Sequence, residues 1–185
     1  MRGGRIHSGR GGGCVGDEHK AYGILFPPLG ERFDRLEEQL AVVTGLWNTP
    51  VGETFSHAGT HYPVTDSPAL PKPVQTPHPP IVIGGGGKKR TPALAAKYAD
   101  EFNIPFASLA GTATQFGRLR AACTAADRDP DSLVYSNALV LCCGRTEEEI
   151  ARRAAAIGRE VSELRENGAA GSPAELVDKI GSFGT

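Results

Sequence analysis

The first clear signal along the chain is a helical period of apolar residues in its first third. Apolar side chains recur every three or four residues at Phe33, Leu36, Leu40, Val43 and Trp47. That spacing brings them onto one face of an α-helix. The pattern predicts an amphipathic helix that packs this face against a core.

A β-branched run at 81–83 follows a pair of prolines and precedes four glycines. Such a run is typical of a strand buried on both faces of a parallel sheet. Thr91 as N-cap and Pro92 in the first turn then predict a helix over about 91–100. Residues 102–106 form the next predicted strand, which gives a strand–helix–strand order.

The second half of the chain repeats this alternation. Its pattern predicts a helix near 112–126, a strand over 133–141 and a helix of about five turns after a capping box formed by Thr146 and Glu149. The apolar stripe of that long helix is Ile150, Ile157, Val161 and Leu164. A second capping box at 172–175 opens the last helix. Alternating elements of this kind predict an α/β fold with parallel strands.

Two stretches lack such periodicity. Residues 1–16 hold seven glycines and three arginines, a composition typical of a loop or of disorder. Residues 63–80 hold seven prolines, which block helix interiors and central strands. The segments on either side have too few apolar residues to fold alone. We therefore expect a single domain over 1–185, with a proline-rich connector at 48–80 inside it.

Charge and composition exclude several function classes. The formal net charge is -1, which gives no support for a nucleic-acid partner. No run approaches the ~18 apolar residues of a membrane span, and no signal peptide follows Met1, so we expect a cytoplasmic protein without a membrane partner. The four cysteines and five histidines show no metal-ligand spacing, which predicts reduced thiols and no metal site. Glu18 and His19 form either an acid–base pair or an ordinary surface pair.

The junction between the strand at 81–83 and the following helix concentrates glycine and positive charge. It reads Gly84, Gly85, Gly86, Gly87, Lys88, Lys89 and Arg90. Glycine lets the backbone approach a ligand closely, and a helix start offers unpaired N–H groups, so phosphate is the expected ligand. Lys89 breaks both the P-loop and the G-x-G-x-x-G fingerprints, which disfavours an ATPase or a Rossmann dehydrogenase. A tight turn with solvated cations remains the alternative.

Several segments taken together carry a family resemblance. The sequence at 59–62, at 71–75, at 79–87 and at 95–103 is similar to that of the luciferase-like monooxygenase superfamily. It most resembles the deazaflavin-dependent oxidoreductases of that superfamily, which use coenzyme F420. The similarity extends over about 17–181, although no single segment would be specific by itself.

The resemblance implies a (β/α)8 TIM barrel, of which this chain would supply about strands four to seven. It implies a cofactor, coenzyme F420 or alternatively FMN, and hydride transfer between that cofactor and a small organic substrate. The cofactor-binding positions that it implies are Gly84, Gly85, Gly86, Gly87, Lys88, Asn103 and Ser108. They follow the barrel strands, where barrel enzymes carry their sites. No catalytic residue is assigned, because the strands that would carry one are missing.

The chain also departs from the family pattern. Where the fourth strand is expected, Ser8 and Arg10 replace apolar residues and Cys14 replaces an aromatic residue. Strands one to three and strand eight are absent, and an open barrel has unpaired edges. The alternative is therefore a truncated, catalytically inactive paralogue or a partner-dependent binding module. We expect a second copy or a complementing chain to cover these edges.

Overall fold

The computed structural model describes residues 6–13 and 15–183, so Arg5 and Cys14 lie outside the described residues. The strands are β1 Ser8–Arg10, β2 Phe55–His57, β3 Val64–Ser67, β4 Ile81–Gly84, β5 Glu101–Pro105, β6 Val134–Ala138, β7 Leu141–Cys143 and β8 Ala169–Gly171. The α-helices are α1 Gly16–Ala21, α2 Leu29–Asn48, α3 Arg90–Tyr98, α4 Leu109–Ala125, α5 Glu147–Ala156, α6 Val161–Asn167 and α7 Pro173–Gly181. A short 3-10 turn, Pro130–Ser132, precedes β6.

The largest sheet has the strand order β1-β4-β5-β6, and all of its pairings are parallel. The register sets Gly84 beside Asn103, and Asn103 beside Ser136. The predicted α/β class with parallel strands is confirmed. Composition alone indicated a loop or disorder for 1–16, but β1 lies within this segment, where the resemblance implies a strand, and pairs with β4.

One face of this sheet and three helices form the main core. Ile81 and Ile83 of β4 and Phe102 and Ile104 of β5 are almost completely buried. Burial of such a side chain contributes about 1.5–3 kcal/mol. The helices cover these residues with Leu36, Leu40, Leu94, Ala95, Leu119 and Cys123. The predicted amphipathic helix is thus confirmed as α2, with Leu36 and Leu40 as its buried residues.

Two helix starts differ from the sequence-based expectation. Helix α3 begins at Arg90 with Lys89 as the N-cap residue, so Thr91 lies inside the first turn and is buried. Its hydroxyl faces Gly87 instead of capping the helix. Helix α4 begins at Leu109, because the Ser108 hydroxyl accepts a hydrogen bond from the Gly111 N–H and caps it.

The predicted strand over 133–141 is wrong as one element. It divides into β6, which completes the main sheet, and β7, which pairs in parallel with β8 in a separate sheet. The predicted five-turn helix also divides, because Gly158 has a φ of +66° after the end of α5. Helices α5 and α6 then pack on a small core of Cys142, Ile150, Ala154, Leu164 and Ala170. The capping box at 172–175 is confirmed at the start of α7.

The proline-rich connector at 48–80 contains an antiparallel hairpin of β2 and β3, which its composition did not predict. The Phe55 ring of this hairpin rests on Gly45 of α2. A Cβ atom on Gly45 would lie 2.1 Å from Cε2 of Phe55. The hairpin therefore docks where α2 has no side chain. None of the described helices is long and apolar enough to cross a membrane.

Glu38 on α2 holds the loop between β2 and β3. Its Oε1 accepts the Thr60 N–H at 3.0 Å, and its Oε2 accepts the N–H groups of His61 and Tyr62 at 2.7 and 2.9 Å. Burial by itself would raise the pKa of this carboxyl, but the three backbone hydrogen bonds outweigh it and lower the pKa. The ionised carboxylate is thus part of the folded structure.

We predict that Glu38→Gln lowers the Tm by a few degrees at pH 7, because an amide group cannot accept all three N–H donors. A carboxyl with a lowered folded-state pKa stabilises above its unfolded pKa, and the benefit disappears as pH falls through the folded-state pKa. The difference in Tm between wild type and Glu38→Gln, measured by thermal unfolding, should therefore be smaller at pH 3 than at pH 7. Glu53→Gln, the same change at an exposed carboxylate, should have no effect. An equal Tm for wild type and Glu38→Gln at pH 7 would contradict the prediction.

Candidate functional site

The loop after β4 leaves the main sheet at its carboxyl edge. Gly84 lies so close to β5 that a Cβ atom would come within 3.1 Å of the Asn103 carbonyl oxygen. At Gly85 the chain turns with a φ of +130°, a value that residues with a side chain rarely adopt. The Gly85 N–H donates to the Asn103 carbonyl oxygen at 3.2 Å. The first two glycines therefore bring the loop close to β5.

The next two glycines leave backbone donors free. Among the described residues, neither the Gly86 N–H nor the Gly87 N–H has a hydrogen-bond partner. A Cβ atom on Gly86 would meet nothing within 4 Å, whereas one on Gly87 would lie 2.3 Å from the Thr91 Oγ1. The Thr91 side chain thus occupies the space that a larger residue at 87 would need. The loop thus presents the free N–H groups of Gly86 and Gly87 beside a threonine hydroxyl.

This loop lines one wall of a cavity of about 410 Å³. A second glycine loop, 11–13, which follows β1, lines the cavity as well. The other lining residues are Leu29, Phe33, Leu36, Thr91 and Pro105. The cavity lies at the carboxyl edge of the sheet, because β1, β4 and β5 are parallel and end there. It combines apolar walls with free backbone donors, as small-molecule sites do.

Arg32 of α2 fixes the 11–13 loop. Its Nη1 donates to the carbonyl oxygens of Gly12 and Gly13 at 3.0 and 2.7 Å, and its guanidinium lies 3.9 Å from the centre of the Phe26 ring. The Phe33 ring comes within 3.5 Å of the position that a Cβ on Gly12 would take. The second glycine loop is thus held in place by side chains from α2 and from the segment before it.

The charges near the cavity differ in how far they are neutralised. Arg90 pairs with Asp34 at 2.8 Å and with Glu37 at 3.3 Å, both on α2. Lys88 and Lys89 are exposed, and the first turn of α3 contains no acidic residue. The positive end of α3 and its unpaired N–H groups therefore face the loop without an opposing carboxylate.

The structure gives the other predicted cofactor-binding side chains local partners. The Asn103 Nδ2 donates to the Ser136 Oγ at 2.8 Å, and the Ser136 Oγ donates to the Glu101 Oε1 at 2.5 Å. Ser108 accepts from the Gly111 N–H at 3.2 Å as the cap of α4. Neither side chain lines the cavity between the glycine loops. Their role in cofactor binding stays a prediction, as does that of Lys88.

His19 lies in a neighbouring cavity of about 250 Å³, which shares Gly11, Gly12 and Gly13 with the first. Its Nδ1 is 2.8 Å from the Val15 carbonyl oxygen, whereas Glu18 is exposed. Among the residues that the structure describes, no group of three His, Cys, Asp or Glu side chains could hold a metal ion. Cys123, Cys142 and Cys143 are free thiols, and burial raises the pKa of Cys123.

Sequence reasoning found the glycine loop but missed residues that shape it. The sequence predicts Thr91 as the N-cap of the helix, although its position four residues after Gly87, one helical turn away, could have marked it for the cavity. Arg32 and Gln115, which bond to the two glycine loops, are separated from them by about 20 and 28 residues along the chain. No local pattern marks such distant contacts.

Comparison with known proteins indicates the same family as the sequence resemblance. The sequence model of the family described as luciferase-like monooxygenase matches residues 1–182. An FMNH(2)-dependent dimethylsulfone monooxygenase from Pseudomonas putida is 31% identical over 119 residues, which are 64% of this chain and 32% of that protein. An F420-dependent glucose-6-phosphate dehydrogenase from Microbacterium testaceum is 34% identical over 99 residues, 54% of this chain and 27% of that protein. The chain thus spans about a third of the length of these curated relatives.

Solved structures support the fold. An F420-dependent secondary alcohol dehydrogenase, in complex with an F420-acetone adduct, superimposes with a TM-score of 0.83 at 17% sequence identity. The alignment covers 100% of this chain and 62% of that one. At that identity the likeness concerns the fold alone, whereas the family model covers almost every residue of the sequence. The chain therefore belongs to the luciferase-like monooxygenase family, as its sequence resemblance predicted.

Proposed function

We propose that this chain is a flavin- or deazaflavin-dependent oxidoreductase. Its cofactor would be coenzyme F420, with FMN as the alternative. The reaction would transfer hydride between the cofactor and a small organic substrate. Family membership supports this proposal, as do relatives whose names refer to F420 and to FMNH(2). The observation that carries it is the cavity between the two glycine loops. One of these loops, 84–87, has N–H groups without hydrogen-bond partners in the described part of the chain.

The residues of the cavity fit the phosphate group of such a cofactor. The free N–H groups of Gly86 and Gly87 and the Thr91 hydroxyl are donors close to the start of α3, where an anion is favoured. The Thr91 hydroxyl can lie this close to the loop only because residue 87 has no side chain. Phe33, Leu36 and Leu29 supply apolar walls that exclude water.

The redox chemistry would come from the ring of the bound cofactor. The contribution of this chain would be to hold the phosphate and to shape part of the ring's surroundings. We further propose that β1, β4, β5 and β6 correspond to strands four to seven of a (β/α)8 barrel, consistent with their order and parallel pairing. In a barrel, the carboxyl ends of the strands carry the active site.

A second candidate function is a partner-dependent, non-catalytic module. The observation that favours it is that the edge strands β1 and β6 have no further strand beside them among the described residues. Next to β6 lies an apolar cavity of about 480 Å³, and Val134 and Leu141 are 60% and 62% exposed. Exposed sheet edges are templates for pairing with another chain.

Cofactor titration tests the first proposal directly. Wild-type protein should quench the fluorescence of F420 or of FMN in a saturable manner, and the same cofactor should raise the Tm because it binds only the folded state. Riboflavin, which lacks the phosphate, serves as the control and should bind more weakly. No quenching and no Tm shift with either cofactor at millimolar concentration would contradict cofactor binding and favour the second candidate.

The glycine loop can be tested at Gly86. We predict that Gly86→Asp weakens FMN or F420 binding by more than about tenfold, because it sets a carboxylate against the phosphate. The open space around Gly86 means that the folded structure accepts the side chain. Gly86→Asn has the same shape without the charge and is the matched control, with a much smaller loss. Equal affinities for the two variants would show that the phosphate lies elsewhere.

The second candidate predicts association of this chain by its open edges. Light scattering on the purified chain should then give a mass above the 19.5 kDa of one copy. Val134→Lys, which adds a charge on the edge strand β6, should shift the mass toward one copy. Val51→Lys, the same change at a position that is 74% exposed after α2, should leave the mass unchanged. A single species of one copy in every sample would contradict the prediction.

A further inference from the structure

Gln115 is a polar residue on the buried face of helix α4. It is 3% exposed and shares the buried face of α4 with Thr112, Leu119 and Cys123. A buried amide group costs free energy unless all of its polar atoms are hydrogen-bonded. The hydrogen bonds of Gln115 therefore show what the residue does in the fold.

Both ends of the Gln115 amide are engaged. Its Nε2 donates to the Gly87 carbonyl oxygen at 2.7 Å and approaches the Gly85 carbonyl oxygen at 3.5 Å. Its Oε1 accepts from the Arg118 Nη1 at 2.8 Å. Arg118 can only donate and the glycine carbonyls can only accept, so these partners fix the orientation of the amide. A chain of hydrogen bonds thus runs from Arg118 through Gln115 to the glycine loop.

These bonds set the direction of two peptide groups. In a trans peptide the carbonyl and the following N–H point in opposite directions. With the Gly85 and Gly87 carbonyls turned toward Gln115, the N–H groups of Gly86 and Lys88 point away from α4. Neither N–H has a hydrogen-bond partner within the described part of the chain. The cavity is lined by the two glycine loops, by residues of α2 and α3 and by Pro105. Gln115 is not among its lining residues, whereas Gly86 is, and Lys88 directly follows the lining residues along the chain.

We infer that Gln115 is a positioning residue, which turns the Gly86 and Lys88 N–H groups toward a phosphate in the cavity. The inference deepens the proposed function and rests on it for the identity of the ligand. Four consecutive glycines are free to rotate their peptide groups, so an external anchor is needed to keep the donors aligned. The Gly85 N–H is excluded from this role, because it is bonded to the Asn103 carbonyl. The Gly87 N–H is a further donor that is free among the described residues, but Gln115 does not orient it, because its peptide carries the Gly86 carbonyl.

The first experiment uses the wild-type chain and inorganic phosphate. In an amide ¹H–¹⁵N correlation spectrum, the Gly86 and Lys88 signals should shift in a saturable manner as phosphate is added, and the Gly85 signal should move much less. Absence of shifts at Gly86 and Lys88 would overturn the inference without any variant. This measurement does not depend on how well a substituted protein folds.

The second experiment compares Gln115→Met with wild type in binding FMN and riboflavin. Methionine has a similar length but no donor, so FMN affinity should fall about tenfold while riboflavin affinity changes less than twofold. Gln75→Met is the matched control, because Gln75 bonds to the distant Ile6 N–H, and it should leave both affinities unchanged. An equal loss for FMN and riboflavin would indicate a general structural role and overturn the inference.

The two experiments separate the inference from the proposed function. If the wild type binds phosphate at Gly86 and Lys88 but neither FMN nor F420, the proposed cofactor is wrong. In that case the inference is tested by comparing the affinity of wild type and of Gln115→Met for inorganic phosphate, which the substitution should lower about tenfold. Unchanged phosphate affinity in that variant would overturn it. If Gln115→Met does not fold, the wild-type spectrum decides.

Discussion

The parallel pairing of β4 with β5 is the constraint on which the candidate site depends. It sets Gly84 beside Asn103, and the Asn103 carbonyl then binds the Gly85 N–H and turns the chain away from the sheet. The pairing is stabilised by Ile83 and Phe102, which are fully buried beneath the helices. Since the strands are parallel, the loop after β4 and the loop after β1 emerge at the same edge and enclose one cavity.

The fold was predictable where a hydrophobic period continues over several turns or where a strand is buried. The apolar period of α2 includes Leu36 and Leu40, which are buried in the structure. The β-branched run of β4 includes Ile83, which is buried as well. The prediction failed where tertiary contacts decide. The strand over 133–141 divides because its second part pairs with β8, a three-residue strand that no pattern marks. Gly158 ends α5 through a positive φ, although the apolar stripe continues beyond it.

The candidate site was predictable only as far as it is local in sequence. The glycine run is visible because backbone donors need residues without side chains, and four glycines between a strand and a helix are unusual. The residues that fix these backbones come from elsewhere in the fold. Arg32 reaches the loop after β1, and Gln115 reaches the loop after β4, each through a hydrogen bond to a carbonyl. A side chain that serves a distant backbone leaves no pattern near it.

The charges around the glycine loop indicate how it would recognise an anion. Arg90 already pairs with Asp34 and Glu37, so its charge is largely neutralised by α2. Lys88 and Lys89 are exposed, where water and salt screen them. What remains close to the cavity are backbone N–H groups and the start of α3, which act over short distances and with defined directions. Recognition by such groups depends on how the peptides are oriented more than on net charge, and this gives the buried anchor at Gln115 its importance.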